Sequence, residues 1–180
     1  PTLREIRKRI KKLERNRAPG PDGAPTELFK ELGPAQLTLL RELYNEWWSN
    51  KTLLPEALQA RVVLIFKNKG STGDPANYRP ISLLNTVHKI YAGIIHDRLV
   101  TALDHLLPKT QFGFRQNRGT KQAIHMIRQL IGAGESTGTK IMFALLDLEK
   151  AFDKLHHEAL LHTLRRFLFP DHIIDVIKSL

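Results

Sequence analysis

Leu3, Ile6, Ile10 and Leu13 recur at the spacing of one helix face, which predicts an amphipathic helix over residues 2–16. Arg4, Arg7, Lys8, Lys11, Lys12 and Arg15 fall on its other face. The alternating Pro and Gly of Arg17-Ala18-Pro19-Gly20-Pro21-Asp22-Gly23 sustain neither helix nor strand. Helices are predicted over 26–32 and 35–49, the second with Leu39, Leu40, Leu43 and Trp47 on one side. The β-branched and apolar run Arg61 to Phe66 reads as a strand ending at Lys67, residues 68–77 as a polar loop, and 78–84 as a second extended stretch. Val87, Ile90, Tyr91, Ile94, Ile95, Leu99, Leu103 and Leu106 mark a long helix ended by Pro108, and Ala123, Ile124, Ile127, Leu130 and Ile131 mark another. Gly132 to Gly138 reads as a flexible turn, and Ile141 to Leu146 as an apolar strand running into Asp147. Two helices, over 154–168 and 171–180, fill the remainder, so the pattern predicts an α+β chain in which helices outnumber strands.

Composition sharpens this picture. With 180 residues and 42% hydrophobic content, the chain is large enough for one compact unit with a sizeable core. Lys and Arg number 28 against 18 Asp and Glu, a net charge of +10 that favours polyanionic partners, nucleic acid first and an anionic membrane surface second. No apolar stretch approaches the roughly 18 residues needed to span a bilayer. The absence of cysteine excludes disulfides and thiolate metal sites and is compatible with a reducing, intracellular compartment, nuclear or cytoplasmic. The chain starts at Pro1 and stops inside a helical pattern, as expected for a piece of a longer protein.

Two chemical motifs are decoys. Residues 132–140 resemble a phosphate-binding loop, but Thr139 separates Gly138 from Lys140, and the predicted order is helix, loop, strand rather than strand, loop, helix; a hairpin-like connection is expected instead. His157-Glu158 with His162 resembles a zinc protease motif, but a spacing of five turns the imidazoles to different helix faces. The other helical histidines, including His88, His96 and His125, are expected at the surface or the edge of the core.

The strongest site-like feature is Asp147 at the end of its apolar run. A carboxylate held there on rigid backbone suits a metal ligand, and it equally suits an N-cap for a following helix. Asp153 offers a second carboxylate, for which the cap is the simpler reading.

The segment Phe143-Ala144-Leu145-Leu146-Asp147-Leu148-Glu149-Lys150-Ala151-Phe152-Asp153-Lys154-Leu155 resembles the first catalytic palm motif of reverse transcriptases from non-LTR (LINE-type) retrotransposons. The resemblance implies that Asp147 is catalytic and binds Mg²⁺, that the backbone carbonyl of Leu148 is a further ligand, and that Phe152 is the steric gate. The gate ring fills the space of a ribose 2′-hydroxyl, so deoxynucleotides are preferred. Leu64 to Gly70 together with Asn77 to Leu83 resemble the paired fingers motifs of the same family, with Phe66 where Pro is usual; this implies that Lys67, Lys69 and Arg79 bind the dNTP triphosphate. Gln111 to Thr120 resembles the family's connector, with Gly119 where Ser is commoner, and implies template contacts by Arg115 and Arg118. Arg17 to Gly23 resembles the start of the fingers, and Arg17 is expected to contact nucleic acid.

Four motifs in family order imply a helix-rich, incomplete right-hand polymerase: fingers, then the first strand and helices of the palm. The division expected is 1–55 for basic helices and the start of the fingers, 56–138 for fingers and connector, and 139–180 for early palm. The activity implied is RNA-directed DNA synthesis, with dNTPs added to a primer 3′-hydroxyl on an RNA template by two-metal phosphoryl transfer and no membrane involved. Alternatives are a non-catalytic RNA-binding module from a decayed or domesticated element, and an intron-encoded maturase. No two Asp residues are adjacent anywhere, so the family's aromatic-x-Asp-Asp turn is missing. Since two-metal polymerisation draws carboxylates from both palm motifs, this chain alone is expected to bind without polymerising.

Overall fold

The computed structural model describes residues 1–148 and 151–180. Its first helix, α1 (Leu3–Lys12), begins where Thr2 and Glu5 cap each other. The Glu5 amide donates to the Thr2 hydroxyl at 3.3 Å, and the Thr2 amide donates to the Glu5 carboxylate at 2.8 Å. Ile6 and Ile10 are buried, as the apolar spacing predicted. Next come α2 (Thr26–Lys30), α3 (Pro34–Asn50), the short α4 (Pro55–Leu58), β1 (Ala60–Phe66), β2 (Tyr78–Leu84) and α5 (Thr86–Leu103). Arg98 on α5 closes on the Glu5 carboxylate at 2.7 and 3.0 Å, and this fork is the main reason Glu5 is held at about 2 rather than its ordinary 4.5. The same guanidinium lies 4.7 Å over the ring of Trp48 on α3.

The chain forms two compact units rather than one: Pro1–Arg98 with His157–Leu180, and Leu99–His156. The core of the first lies between α3 and α5. Leu37, Leu40, Tyr44 and Trp47 make the buried face of α3, whereas Leu39, expected on that face, is 65% exposed. The 37-40-44-47 progression follows the true helical stripe, and Leu39 lies off it. Tyr44, Trp47 and Tyr91 pack with ring centroids 5.3–5.6 Å apart, and the Tyr44 hydroxyl donates to the Val87 carbonyl at 2.8 Å. His88, on the same helix, is buried, and burial pushes its pKa down. The last two helices, α7 (His157–Arg166) and α8 (Asp171–Lys178), belong to this unit through buried Leu161, Leu164, Ile174 and Val176. The Lys51 ammonium reaches the Asp175 carboxylate on α8 at 2.6 Å.

β1 and β2 pair antiparallel from Ala60↔Leu84 to Phe66↔Tyr78, and theirs is the one sheet among the described residues. The connecting loop closes with the Lys67 amide donating to the Asn77 carbonyl at 2.8 Å.

In the second unit, α6 (Thr120–Thr137) corrects the expected turn at Gly132–Gly138. The helix runs through Gly132 and Gly134 and stops only at Gly138, whose φ of +68° suits the left-handed cap; the Thr139 amide then donates to the Gly134 carbonyl at 2.9 Å. Interior glycines cost a helix about 1 kcal/mol each, too little to end one that is otherwise well formed. The hairpin-like connection expected for 132–140 is therefore a helix end. The strand expected over Ile141 to Leu146 does not form either. Met142, Leu145 and Leu146 are at least 90% exposed. A strand exists only by pairing, and no neighbouring strand is present among the described residues to satisfy its backbone groups.

Candidate functional site

The fingers-type motifs form the hairpin. Arg79 sits on β2 opposite Ile65, its side chain exposed, and Lys69 is exposed in the loop. Neither side chain has a hydrogen-bonding or ionic partner among the described residues. Lys67 is partly engaged, its ammonium donating to the Ala76 carbonyl at 2.7 Å. The loop that carries these cations is itself ordered. The Tyr78 hydroxyl donates to Thr72 and the Asn77 amide group to Ser71, each at 2.8 Å, and the Asp74 carboxylate accepts from the Ala76 amide at 2.9 Å.

The base of the hairpin is joined to the Pro/Gly motif by Asn85, a residue that pattern reasoning passed over. Asn85 is 4% exposed. Its Oδ1 accepts from the Asp22 amide at 3.2 Å and its Nδ2 donates to the Glu56 carbonyl at 2.8 Å. Arg61 of β1 donates to the Pro19 carbonyl at 3.2 Å, and Thr86 donates to Ala24 at 3.3 Å. Gly20 is the point of closest approach: a Cβ there would lie 2.5 Å from the Asn85 nitrogen and 2.6 Å from the Leu84 carbonyl carbon. These are backbone atoms that cannot swing aside. Gly20→Ala is therefore expected to destabilise the chain by about 1–3 kcal/mol, read as a lowered midpoint in thermal or urea unfolding. An unchanged midpoint would show that the loop and hairpin base are not in this contact. The separation of 63 residues between Asp22 and Asn85 explains why no local signal revealed it.

In the second unit the connector is held by Arg115. Its guanidinium, 7% exposed, bonds the Asp104 carboxylate at 2.8 and 3.2 Å and the carbonyls of Asp104 and Pro108 at 2.8 Å. The bond from Arg115 also holds the Asp104 carboxyl below its ordinary range. The donors of Arg115, expected to reach a template phosphate, are used inside the loop. Arg118 donates to the Lys109 carbonyl and is otherwise without a side-chain partner among the described residues. Arg17, in the first unit, is exposed and pairs with Glu14.

Asp147 and Leu148 are exposed, and the Asp147 carboxylate has no partner among the described residues. Asp153 caps no helix, since α7 begins only at His157, and the amides of Glu149 and Lys150, which a cap at Asp147 would bond, lie outside the described residues. A carboxylate and an adjacent backbone carbonyl are hard oxygen donors of the kind Mg²⁺ takes, and they leave most of its octahedron to water, phosphate or further carboxylates. Phe152 is 78% exposed and meets Phe114 of the connector, ring centroids 6.1 Å apart at 81°. Glu149 and Lys150, within the same motif, lie outside the described residues.

Residues 66–180 match the family described as reverse transcriptase (RNA-dependent DNA polymerase). The chain belongs to the reverse transcriptase family. It is 33% identical over 181 residues to the RNA-directed DNA polymerase from mobile element jockey of Drosophila melanogaster, with 99% of this chain and 20% of that protein covered. It is 31% identical to the transposon TX1 uncharacterized 149 kDa protein of Xenopus laevis, covering 99% of this chain and 14% of that protein. A third relative, 28% identical, is the probable RNA-directed DNA polymerase from transposon BS of Drosophila melanogaster, covering 98% of this chain and 20% of the relative. The kinship with reverse transcriptases of non-LTR retrotransposons that the motifs implied is borne out. This reverse transcriptase chain spans a fifth or less of the length of these relatives. The family match begins at Phe66 and takes in the hairpin loop, β2 and the Asp147 segment.

Proposed function

We propose that this chain supplies the fingers and the first part of the palm of a right-hand, RNA-directed DNA polymerase. One observation carries the reading. Lys69, Arg79 and Asp147, the charged side chains that nucleotide addition requires, are exposed and unengaged among the described residues. In the intact polymerase, Arg79 and the loop lysines Lys67 and Lys69 bind and neutralise the triphosphate of the incoming dNTP. Phe152 excludes a ribose 2′-hydroxyl. Asp147 and the Leu148 carbonyl would hold Mg²⁺, which when bound stabilises charge on the transferred phosphoryl group. A carboxylate elsewhere in the longer protein completes the pair of metal sites, so this chain alone binds without polymerising. Arg118 and Arg17 contact the RNA template or the primer, and Arg115 shapes the connector. In functional terms residues 1–55 open the fingers, 56–138 form fingers and connector, and 139–180 begin the palm. These roles cut across the two compact units, since 56–98 and 99–138 fall in different ones.

The nucleic-acid part of this reading is testable on the chain itself. On α1, Lys8, Arg9 and Lys12 converge on Asp97 at 2.7–3.6 Å, which leaves Arg4, Arg7 and Lys11 without ionic partners among the described residues. Three such cations at single-stranded RNA phosphates correspond to a loss of affinity on the order of tenfold as salt rises from about 50 to about 200 mM. Fluorescence anisotropy with a labelled RNA should show this loss, and replacing Arg4, Arg7 and Lys11 by Gln should flatten the slope. Affinity indifferent to salt would remove RNA as the partner of this surface.

A further inference from the structure

The connector places one aromatic ring where nothing in the reading above uses it. Phe114 lies in a tight turn with φ of +59°, a left-handed conformation that a bulky side chain adopts rarely and only when its surroundings impose it. The next residue is anchored. Arg115 points inward, with its guanidinium bonded to Asp104 and to the carbonyls of Asp104 and Pro108. Beside this anchored side chain the Phe114 ring stands 92% exposed. It is nevertheless not idle. It meets Phe152 in a T-shaped arrangement, centroids 6.1 Å apart and planes at 81°, inside the same compact unit. This edge-to-face geometry is the attractive one for two aromatic quadrupoles. Both rings stay largely exposed, so the contact contributes little to the core. Its effect is to limit where the Phe152 ring can swing.

We propose that Phe114 is a positioning residue for Phe152: set beside the Arg115 anchor, it fixes the orientation of the gate ring and thereby sharpens the choice of deoxyribose over ribose. The proposal rests on the assignment of Phe152 as the gate. A ring free to rotate about its side-chain torsions leaves room for a 2′-hydroxyl part of the time, whereas a ring buttressed on one side does not. Discrimination then depends on two residues 38 positions apart in sequence, only one of which lies in the palm motif.

The test is the ratio of kcat/KM for dNTP to that for the matching ribonucleotide, measured by primer extension on an RNA template with the full-length polymerase that carries this chain. Phe114→Gly removes the ring and suits the left-handed backbone, so folding is not the variable. It is expected to lower the dNTP-to-ribonucleotide ratio by about three- to tenfold, the scale of one aromatic pair, with kcat for dNTP retained. Phe114→Tyr should keep the wild-type ratio. Phe152→Ala should lower it further, and adding Phe114→Gly to Phe152→Ala should change nothing more, because the buttress has lost what it supports. If Phe152→Ala relaxes discrimination while Phe114→Gly does not, the positioning role is overturned and the gate stands. A Phe114→Gly variant that slows both sugars by the same factor, or effects that add in the double variant, would also overturn it. If Phe152→Ala leaves discrimination intact, the gate assignment fails and this proposal fails with it.

Discussion

Asp147→Asn in the full-length polymerase is expected to fold normally and lose DNA synthesis by a factor on the order of a thousand. Asn keeps the shape and the hydrogen-bonding oxygen of Asp but lacks the charge that holds Mg²⁺ against water. Losing several kcal/mol of charge stabilisation corresponds to that factor. The folding half of the expectation comes from the surroundings of Asp147. The residue is exposed and has no side-chain partner among the described residues, so its replacement should stay within about 0.5 kcal/mol in stability. Asp153→Asn, which disturbs neither a cap nor the proposed metal site, should retain substantial activity. Primer extension on an RNA template with Mg²⁺, run beside thermal melting of both variants, reads both halves. Near-normal extension by Asp147→Asn would end the catalytic assignment.

The largest effect on stability is expected at Trp47→Ala. Trp47 is 3% exposed and packs against both Tyr44 and Tyr91, joining α3 to α5 in the first unit. Truncating a buried Trp costs about 3–5 kcal/mol, against a total stability of about 5–15 kcal/mol for a typical domain. At this chain length that is a fall in melting temperature of roughly 6–20 °C. Trp47→Phe should cost much less, because it keeps most of the apolar volume and removes a buried indole N–H that has no partner among the described residues. Melting curves for the two variants that coincide would show that the aromatic cluster is not the centre of this core.

What could be read from the sequence was what periodicity and pairing decide locally. The spacing of Val87, Ile90, Tyr91, Ile94 and Ile95 placed α5 to within a residue at its start, and the alternation of strand and turn residues placed the hairpin. The failures share a different cause. Gly132 and Gly134 punctuate a helix on paper, yet a glycine costs a helix too little to stop it. The apolar run at Ile141 to Leu146 has the composition of a strand, but composition cannot supply the partner strand that would make it one. The template contact implied for Arg115 came from resemblance, which does not carry its ion pair with Asp104, eleven positions earlier. The candidate site was legible chiefly through resemblance. What resemblance did not carry were the tertiary contacts that bear on it, Gly20 against Asn85 and Phe114 against Phe152.

The first compact unit is built from both ends of the chain, and this matters while the protein is being made. Lys51 must wait for Asp175, 124 positions later, and Trp48 for His172. At translation rates of about 5–20 residues per second, that interval is roughly 6–25 s on the ribosome. During this time α3 and α5 exist without the last two helices, and Leu99–His156 is threaded out between the halves of a unit still unfinished. A nascent polypeptide in that condition leaves apolar helix surface uncovered for that interval, the exposure that makes incomplete folds prone to aggregation during synthesis.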